Sequence, residues 1–323
     1  MNRLIVSPSP HDDNYTKTSD IMLHVCIALL PALIAGTIFF GLRSLAVTAV
    51  CVVSAVITEY TCRRLMKRDN TIGDLSAVVT GVILAFNLPV SIPLWIAALG
   101  SFIAIAIVKQ LFGGLGQNFA NPAVTARIVL LVSFPAAMTN WVLPFEWKNG
   151  ADAVTGATPL LLQGMDSDKL AEINQEIPSY LDLFLGNTGG CLGETSALAL
   201  LLGGFYLIAR KIINPAAPFS FIGSLALLSL IAGNDPIYEI LSGGVFLGAF
   251  FMATDYATTP VSTKGKFVFG IGCGTITFVI RNFGTFPEGV SFAILLMNIL
   301  TPYIEQYTRP KAFGAKEAVK SEK

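Results

Sequence analysis

The feature that most limits how this chain can fold is a succession of long apolar runs joined by short polar stretches. Of the 323 residues, 53% are hydrophobic and only 13% are charged, whereas soluble domains carry about a quarter charged residues. About 20 apolar residues in a row are enough to cross a bilayer as a helix. The composition therefore predicts an all-α polytopic membrane protein embedded in the lipid bilayer. The formal net charge of zero gives no indication of nucleic-acid binding.

Ten apolar segments are candidates for transmembrane helices. Some of them are short, which is tolerated where a helix is enclosed by its neighbours. Because ten is even, both chain termini are expected on the same side of the membrane. The predicted spans are residues 21–40, 44–62, 75–88, 92–109, 121–137, 195–213, 217–233, 237–254, 267–282 and 288–304.

The distribution of basic residues predicts which side that is. With a cytoplasmic N-terminus, sixteen of the 21 Lys and Arg residues fall inside and four outside, while Arg127 lies within the fifth span. Cytoplasmic loops of membrane proteins carry such an excess of Lys and Arg. We therefore predict that both termini are cytoplasmic. The predicted domains are an N-terminal tail at 1–20, spans 1–5 at 21–137, an extracytoplasmic loop at 138–190, spans 6–10 at 191–305 and a basic cytoplasmic tail at 306–323.

Two short matches within the chain suggest an internal repeat. The sequence GDLSAV at 73–78 resembles GETSAL at 193–198, and NFANPAVT at 118–125 resembles DYATTPVS at 255–262. In the predicted topology the segments that follow the first pair cross the membrane in opposite directions. Two inverted five-helix repeats would have this pattern, which is common in transporters. The alternative is a chance match of small residues, and the sequence leaves both open.

The stretch DAVTGATPL at 152–160 stands out in the long polar loop. One interpretation is structural, with Thr158 as the N-cap of a helix and Pro159 at its first position. The other is a binding site for a phosphate, because free backbone N–H groups at a helix start favour an anion. Gly156 and Ala157 leave room beside Thr158, and Asp152 could orient a hydroxyl or bind a metal ion.

Several polar residues lie within or beside the predicted spans. Asn118, Asn121 and Asp255 fall at cytoplasmic ends of spans, where they either cap the backbone or line a polar ligand pocket. Arg127 would be costly in lipid, so it is expected to face a partner or a cavity. Glu59 lies near the inner end of span two, where its side chain could reach the interface.

The stretch DAVTGAT also matches a known modification pattern at every specified position. The pattern is Dxx[ST]GAT, the flavinylation motif, and the rest of the chain agrees with it in sequences such as MLHVCIALLP at 22–31 and GGLGQNFANPA at 113–123. Over nearly its whole length the chain resembles the RnfD family, the D subunits of the Rnf ion-translocating electron-transport complex. The related B subunit of the sodium-translocating NADH:quinone reductase shares the motif but is typically longer at its N-terminus.

The resemblance implies a function and a set of cofactors. Thr158 would carry FMN through a phosphoester installed by a flavin transferase, with Asp152, Thr155, Gly156 and Ala157 completing the motif. The complex would couple electron flow between ferredoxin and NAD⁺ to Na⁺ or H⁺ translocation in the bacterial inner membrane. Relatives also hold a non-covalent riboflavin near the cytoplasmic side. Asn118, Asn121 and Asp255 are our candidates for this second site, because amides and carboxylates can bond a flavin edge and ribityl hydroxyls.

The resemblance also implies partners. The chain would work only within a complex that contains other membrane and peripheral subunits, including another flavinylated subunit and iron–sulfur subunits. It would contribute no catalytic residue or metal ligand of its own, because the redox chemistry belongs to the cofactor. The alternatives are a self-sufficient secondary transporter or channel for a small solute, and a scaffold whose motif is vestigial.

Overall fold

The computed structural model describes residues 17–148, 155–163, 177–284 and 288–309. Within these ranges the chain is mostly helical, and its two short strands form one antiparallel pair, β1 (Trp141–Val142) with β2 (Thr155–Gly156). The helices are α1 Thr18–Phe40, α2 Leu42–Leu65, α3 Ser76–Phe86, α4 Leu94–Phe102, α5 Pro122–Ser133, α6 Pro135–Met138, α7 Pro159–Gln163, α8 Tyr180–Leu185, α9 Ala197–Ala209, α10 Ala216–Ala232, α11 Pro236–Leu241, α12 Val245–Leu247, α13 Thr263–Phe283 and α14 Val290–Thr308.

Two of the described helices, α1 and α2, are long and apolar enough to cross a membrane by length and composition. They are separated by Gly41, whose φ of +73° suits a residue without a side chain. Shorter apolar helices follow, among them α3, α5, α9 and α10. Helix is present in every predicted span, but the count of ten membrane crossings stays a prediction.

The eighth predicted span is not one continuous helix. Residues 237–254 contain α11, a break at Ser242–Gly244, and then α12. Gly243 has a φ of +67°, a conformation that ends a helix readily because glycine has no Cβ. The apolar composition of the segment hid this break. The fifth span is also interrupted, because α5 ends at Ser133 and the short α6 begins at Pro135.

Two helices pass into π-helical turns before a polar loop. Helix α4 continues as a π-helix over Ile103–Gln110, and α12 continues as one over Gly248–Met252. π-Helical segments are rare in proteins, and those that occur are often found at functional sites. Here they lead into the two loops that carry Asn118 and Asp255.

Helices α10 and α13 pack closely through small residues. A Cβ atom placed at Gly270 of α13 would lie 2.5 Å from the carbonyl oxygen of Ala217 in α10, and one at Gly274 would lie 2.5 Å from that of Phe221. Glycine therefore lets the two backbones approach to a distance that no other residue permits, which is typical of helix pairs in membranes.

Glu59 and Lys109 form a buried ion pair, which corrects the expectation for Glu59. The Lys109 ammonium lies 3.0 Å from each carboxylate oxygen of Glu59 and donates to Ser76 Oγ at 2.6 Å. Neither residue is more than 1% exposed. The prediction that the Glu59 side chain reaches the interface is therefore wrong, because this side chain is enclosed and paired with Lys109. A paired charge with full hydrogen bonding is tolerated in the interior, where an unpaired one is not.

We predict that Gly270→Leu destabilises the helix bundle strongly, because the new side chain would overlap the α10 backbone. Overpacking of this kind lowers the free energy of unfolding by about 1–3 kcal/mol. Thermal unfolding in detergent checks this. Gly223→Leu is the matched control, since a Cβ on Gly223 of α10 meets nothing within 4 Å. Equal melting temperatures for the two variants would contradict the packing described here.

Candidate functional site

Residues of the DAVTGATPL stretch are held between a strand and a helix. Thr155 and Gly156 pair with Val142 and Trp141, respectively, in the β1–β2 ladder. The Thr158 carbonyl then accepts hydrogen bonds from the backbone N–H groups of Leu161 at 2.9 Å and Leu162 at 3.0 Å. Thr158 thus occupies the helix start predicted for it. Asp152 lies outside the described residues.

The Thr158 hydroxyl does not act as a cap. Its Oγ1 atom is buried and has no hydrogen-bond partner among the described residues, whereas an N-cap hydroxyl normally accepts from the second or third N–H of the helix. Leaving a buried hydroxyl unpaired costs about 1–3 kcal/mol. This atom is therefore placed at a cost in stability, which suits a residue whose oxygen is needed for a bond to another group.

Helix α7 is too short to support the predicted anion site. It contains five residues, Pro159–Gln163, so few backbone dipoles align at its start. The helix is nevertheless firmly seated, because Pro159 and Leu162 are buried and the Tyr238 hydroxyl donates to the Pro159 carbonyl at 3.0 Å. Its role is to fix the position of Thr158.

A cavity of about 40 Å³ lies against Thr158. It is large enough for a water molecule and far smaller than the pockets of about 300–1,000 Å³ that hold cofactor-sized ligands. Its lining combines hydroxyls, two carboxylates and small or apolar residues. These residues are Trp141, Thr158, Pro159, Leu160, Leu183, Thr188, Gly189, Gly190, Glu194, Thr195, Leu241, Gly243 and Glu288.

Arg127 lies behind this cavity with its two carboxylates. Its Nη1 is 3.1 Å from Glu194 Oε1, and its Nη2 contacts Glu288 Oε2. Nη1 also donates to Asn87 Oδ1 at 3.0 Å and to Ser291 Oγ at 2.8 Å. The expectation that Arg127 faces polar partners is confirmed. The sequence did not single out Glu194 or Glu288 as its partners, although each is an isolated carboxylate beside an apolar run.

A second cavity, of about 90 Å³, is lined by all three candidates for the second cofactor: Asn118, Asn121 and Asp255. The structure thus brings together residues from two separate loops, as predicted. The rest of the lining is largely apolar, with Lys109 and a few hydroxyls among it. It consists of Ile21, Met22, Val25, Ser76, Val79, Thr80, Ile83, Lys109, Leu115, Pro122, Ala123, Leu207, Ile212, Ile213, Phe250, Phe251, Thr254, Tyr256 and Ala257.

The same three residues also satisfy their own backbone. Asn121 Oδ1 accepts from the N–H of Ala123 at 3.0 Å at the start of α5, and Asn118 Nδ2 donates to the Ala120 carbonyl at 3.0 Å. Asp255 accepts from the backbone N–H of Ala257 at 3.4 Å and from the Thr258 hydroxyl at 3.1 Å. The capping role and the pocket-lining role are therefore both present, and neither excludes the other.

The two cavities lie at opposite ends of α1. Ile21 lines the 90 Å³ cavity near the start of the helix. Near its end, the Phe39 carbonyl accepts from the Phe145 N–H at 2.7 Å, and Gly36 packs against the Leu192 backbone. Leu192 is two residues from Glu194. At a rise of 1.5 Å per residue, the eighteen steps from Ile21 to Phe39 span roughly 27 Å, which is close to the thickness of a bilayer core.

Comparison with known proteins identifies the family to which the chain belongs. The model of the NQR2, RnfD, RnfE family matches residues 5–314. The D subunit of the Na⁺-translocating ferredoxin:NAD⁺ oxidoreductase complex of Acetobacterium woodii is 51% identical, with 99% of this chain and 98% of the relative covered. The corresponding subunit of the proton-translocating ferredoxin:NAD⁺ oxidoreductase complex of Clostridium ljungdahlii is 43% identical, with 98% and 97% covered. That of the ion-translocating oxidoreductase complex of Stutzerimonas stutzeri is 42% identical, with 91% of each covered.

These matches extend over nearly the whole chain, including both cavities and the DAVTGATPL stretch. Relatives at this level of identity are subunits of ion-translocating oxidoreductase complexes. The chain belongs to the NQR2, RnfD, RnfE family.

Proposed function

We propose that this chain is a membrane electron-transfer subunit of a ferredoxin:NAD⁺ oxidoreductase complex and that it carries FMN covalently on Thr158. The observation that carries the proposal is the Thr158 hydroxyl, which is buried and unpartnered among the described residues within a sequence that matches the flavinylation motif. The relatives named above support the assembly. One is named for Na⁺ and another for protons, so the proposal covers either ion.

The residues around Thr158 fit a phosphoester. Esterification replaces the unpaired O–H donor with an oxygen that carries no hydrogen, which removes the buried unsatisfied donor. Gly156 and Ala157 are small, and the β1–β2 pairing and α7 hold the attachment point in place. A bound flavin supplies one- and two-electron transfer, while the chain fixes where this happens. The 40 Å³ cavity is too small for the ring, so the ring is expected outside it.

We also propose that a second, non-covalent flavin of the riboflavin type binds at the 90 Å³ cavity, which by its volume would enclose only part of the ligand. The wall of the cavity is mostly apolar with a few convergent polar groups, which suits a planar ring with a polar edge. The charged groups of the wall favour a ligand without phosphate. Lys109 is already neutralised by Glu59, whereas Asp255 has no cationic partner among the described ion pairs and would repel a phosphate. Two carriers would then stand at the two ends of α1.

The membrane arrangement belongs to the same proposal. We place ten spans in the bacterial inner membrane, with both termini and the larger cavity cytoplasmic and Thr158 outside. Helix in each predicted span supports this, and so does the excess of Lys and Arg on one side. The two π-helical turns precede the two loops whose sequences match, which supports inverted five-helix halves.

The proposed partners are the other membrane and peripheral subunits, including a second flavinylated subunit and iron–sulfur subunits, and a flavin transferase for maturation. The chain alone is expected to have no oxidoreductase activity. A self-sufficient transporter, the alternative from another class, predicts solute flux by the purified single chain in liposomes.

We predict that Thr158→Val abolishes the covalent flavin, because it removes the oxygen that forms the phosphoester. In-gel flavin fluorescence after co-expression with the flavin transferase measures this. Thr188→Val is the matched control: Thr188 lines the same cavity and is 7% exposed, so its hydroxyl is lost from the same surroundings. Fluorescence that survives Thr158→Val would disprove the attachment at this residue.

For the second flavin, we predict that Asn118→Leu lowers the amount of flavin released on denaturation. The measurement uses the Thr158→Val background, in which all remaining flavin is non-covalent. The substitution removes an amide from the cavity wall and leaves the apolar lining intact. Asn282→Leu on the exposed face of α13 is the control and should release as much flavin as the background protein. Equal release from both variants contradicts this assignment of the site.

A further inference from the structure

Among the described residues, five charged side chains cluster behind Thr158, and their charges do not balance. Arg127 pairs with Glu194 and Glu288, and Arg281 pairs with Glu239 at 2.8 Å. With all five ionised, the cluster holds three negative and two positive charges. All five lie in the interior, where a net charge is far more costly than in water.

The hydrogen bonds of Glu288 favour its ionised form. Its Oε2 accepts from Arg127 Nη2, and its Oε1 accepts from the backbone N–H of Gly244 at 2.7 Å. A carboxylate that receives donors on both oxygens is stabilised in its charged form.

Glu194 receives less support from Arg127 and lies farther from it than Glu288 does. Both N–H groups of Nη1 are donated elsewhere, to Asn87 and Ser291, and Nη2 donates to Glu288 and to the Cys191 sulfur. Glu194 Oε1 is consequently buried with no hydrogen-bond donor among the described residues. It feels the charge of the guanidinium at 3.1 Å without receiving a hydrogen from it.

The two carboxylates also face each other across Gly244. A Cβ on this residue would lie 2.8 Å from Glu194 Oε1 and 2.5 Å from Glu288 Oε1. Two like charges this close in a buried site do not both ionise readily, and one proton held between them removes the repulsion. Among the described residues, Cys191 contacts Arg127 and Tyr238 lies beside Glu239, and neither supplies a positive charge.

We propose that Glu194 is a proton-binding site, protonated at neutral pH, and that it exchanges this proton through the cavity it shares with Thr158. On release, the O–H bond of Glu194 breaks, the carboxylate keeps the electron pair, and the proton passes to solvent. On uptake the reverse occurs. The ligand of the site is the proton, and the remaining four charges then balance as two ion pairs.

The role of this proton rests on the proposed flavin at Thr158, because Glu194 lies beside that residue. Reduction of a group attached there brings negative charge to the neighbourhood of Glu194, which lines the same cavity and holds an exchangeable proton. Release of the Glu194 proton to the reduced group, followed by reprotonation of the carboxylate from solvent, would then be tied to electron arrival at this site.

Infrared spectroscopy of the full-length chain tests the proton directly and does not depend on any flavin. In Thr158→Val protein, a neutral carboxylic acid gives a C=O absorption that a carboxylate lacks and that shifts in D₂O. We expect Glu194→Gln to lose a component of this absorption. We expect Glu288→Gln to lose it too, because a single carboxylate beside Arg127 ionises. Identical spectra for Glu194→Gln and its parent would overturn the proposal.

Two controls separate this outcome from a folding defect. Glu59→Gln alters the separate Glu59–Lys109 pair and should leave the Glu194 component intact. Thermal unfolding provides the second check, because glutamine resembles a protonated glutamic acid in shape and charge. Glu194→Gln should therefore melt near the parent temperature, while Glu288→Gln melts clearly lower. The reverse order would place the proton on Glu288 and overturn the assignment.

The link to electron transfer has its own test in the flavinylated protein. The midpoint potential of the covalent flavin is measured against pH in the parent and in Glu194→Gln. We expect the pH dependence to become flatter in the variant. An unchanged dependence, with the infrared component lost as expected, would refute the coupling and keep the proton site; absence of a covalent flavin would refute the proposed function alone.

Discussion

The ion pairs and hydrogen bonds of Arg127 are the contacts on which the structure around Thr158 depends. Arg127 projects from α5 and contacts Asn87 at the end of α3, Glu194 before α9, and Glu288 and Ser291 at the start of α14. Removal of one member of a buried ion pair costs about 3–5 kcal/mol because the other charge is left unpaired. The segments that surround Thr158 therefore meet at a single guanidinium, which helps to fix the position of Thr158.

The structure around the 90 Å³ cavity depends on a different buried ion pair, that of Glu59 and Lys109. Lys109, at the end of a π-helical turn, satisfies Glu59 and Ser76 and closes one wall of the larger cavity. One π-helix leads toward Asn118 and the other toward Asp255. A local irregularity in two helices thus brings an amide and a carboxylate from distant parts of the chain to one cavity.

Much of this arrangement could be predicted from the sequence where the signal is local. Thr158 before Pro159 predicted a helix start, and the cost of a buried arginine predicted polar partners for Arg127. The pairing of Arg127 with Glu194 and Glu288 could not be predicted, because the contacts join residues 67 and 161 positions apart in the chain. Glu59 was misjudged for the same reason, since its partner Lys109 is 50 positions away.

The motif at Thr158 gained a physical meaning from the structure. A threonine at a helix start normally uses its hydroxyl as a cap, and here the hydroxyl is buried without a partner among the described residues. That departure cannot be read from the sequence, because it depends on how α7 is seated against Tyr238. The unpaired Oγ1 atom of Thr158 lowers the stability of the fold, as is common where a residue serves a function.

The most direct test of the central claim is the mass of the peptide that contains Thr158, isolated from the native complex and sequenced by fragmentation. A covalent flavin predicts that the peptide carries the additional mass of FMN less one water, and that the fragments assign it to Thr158. A peptide of unmodified mass, from complex that is active in electron transfer, would contradict the claim.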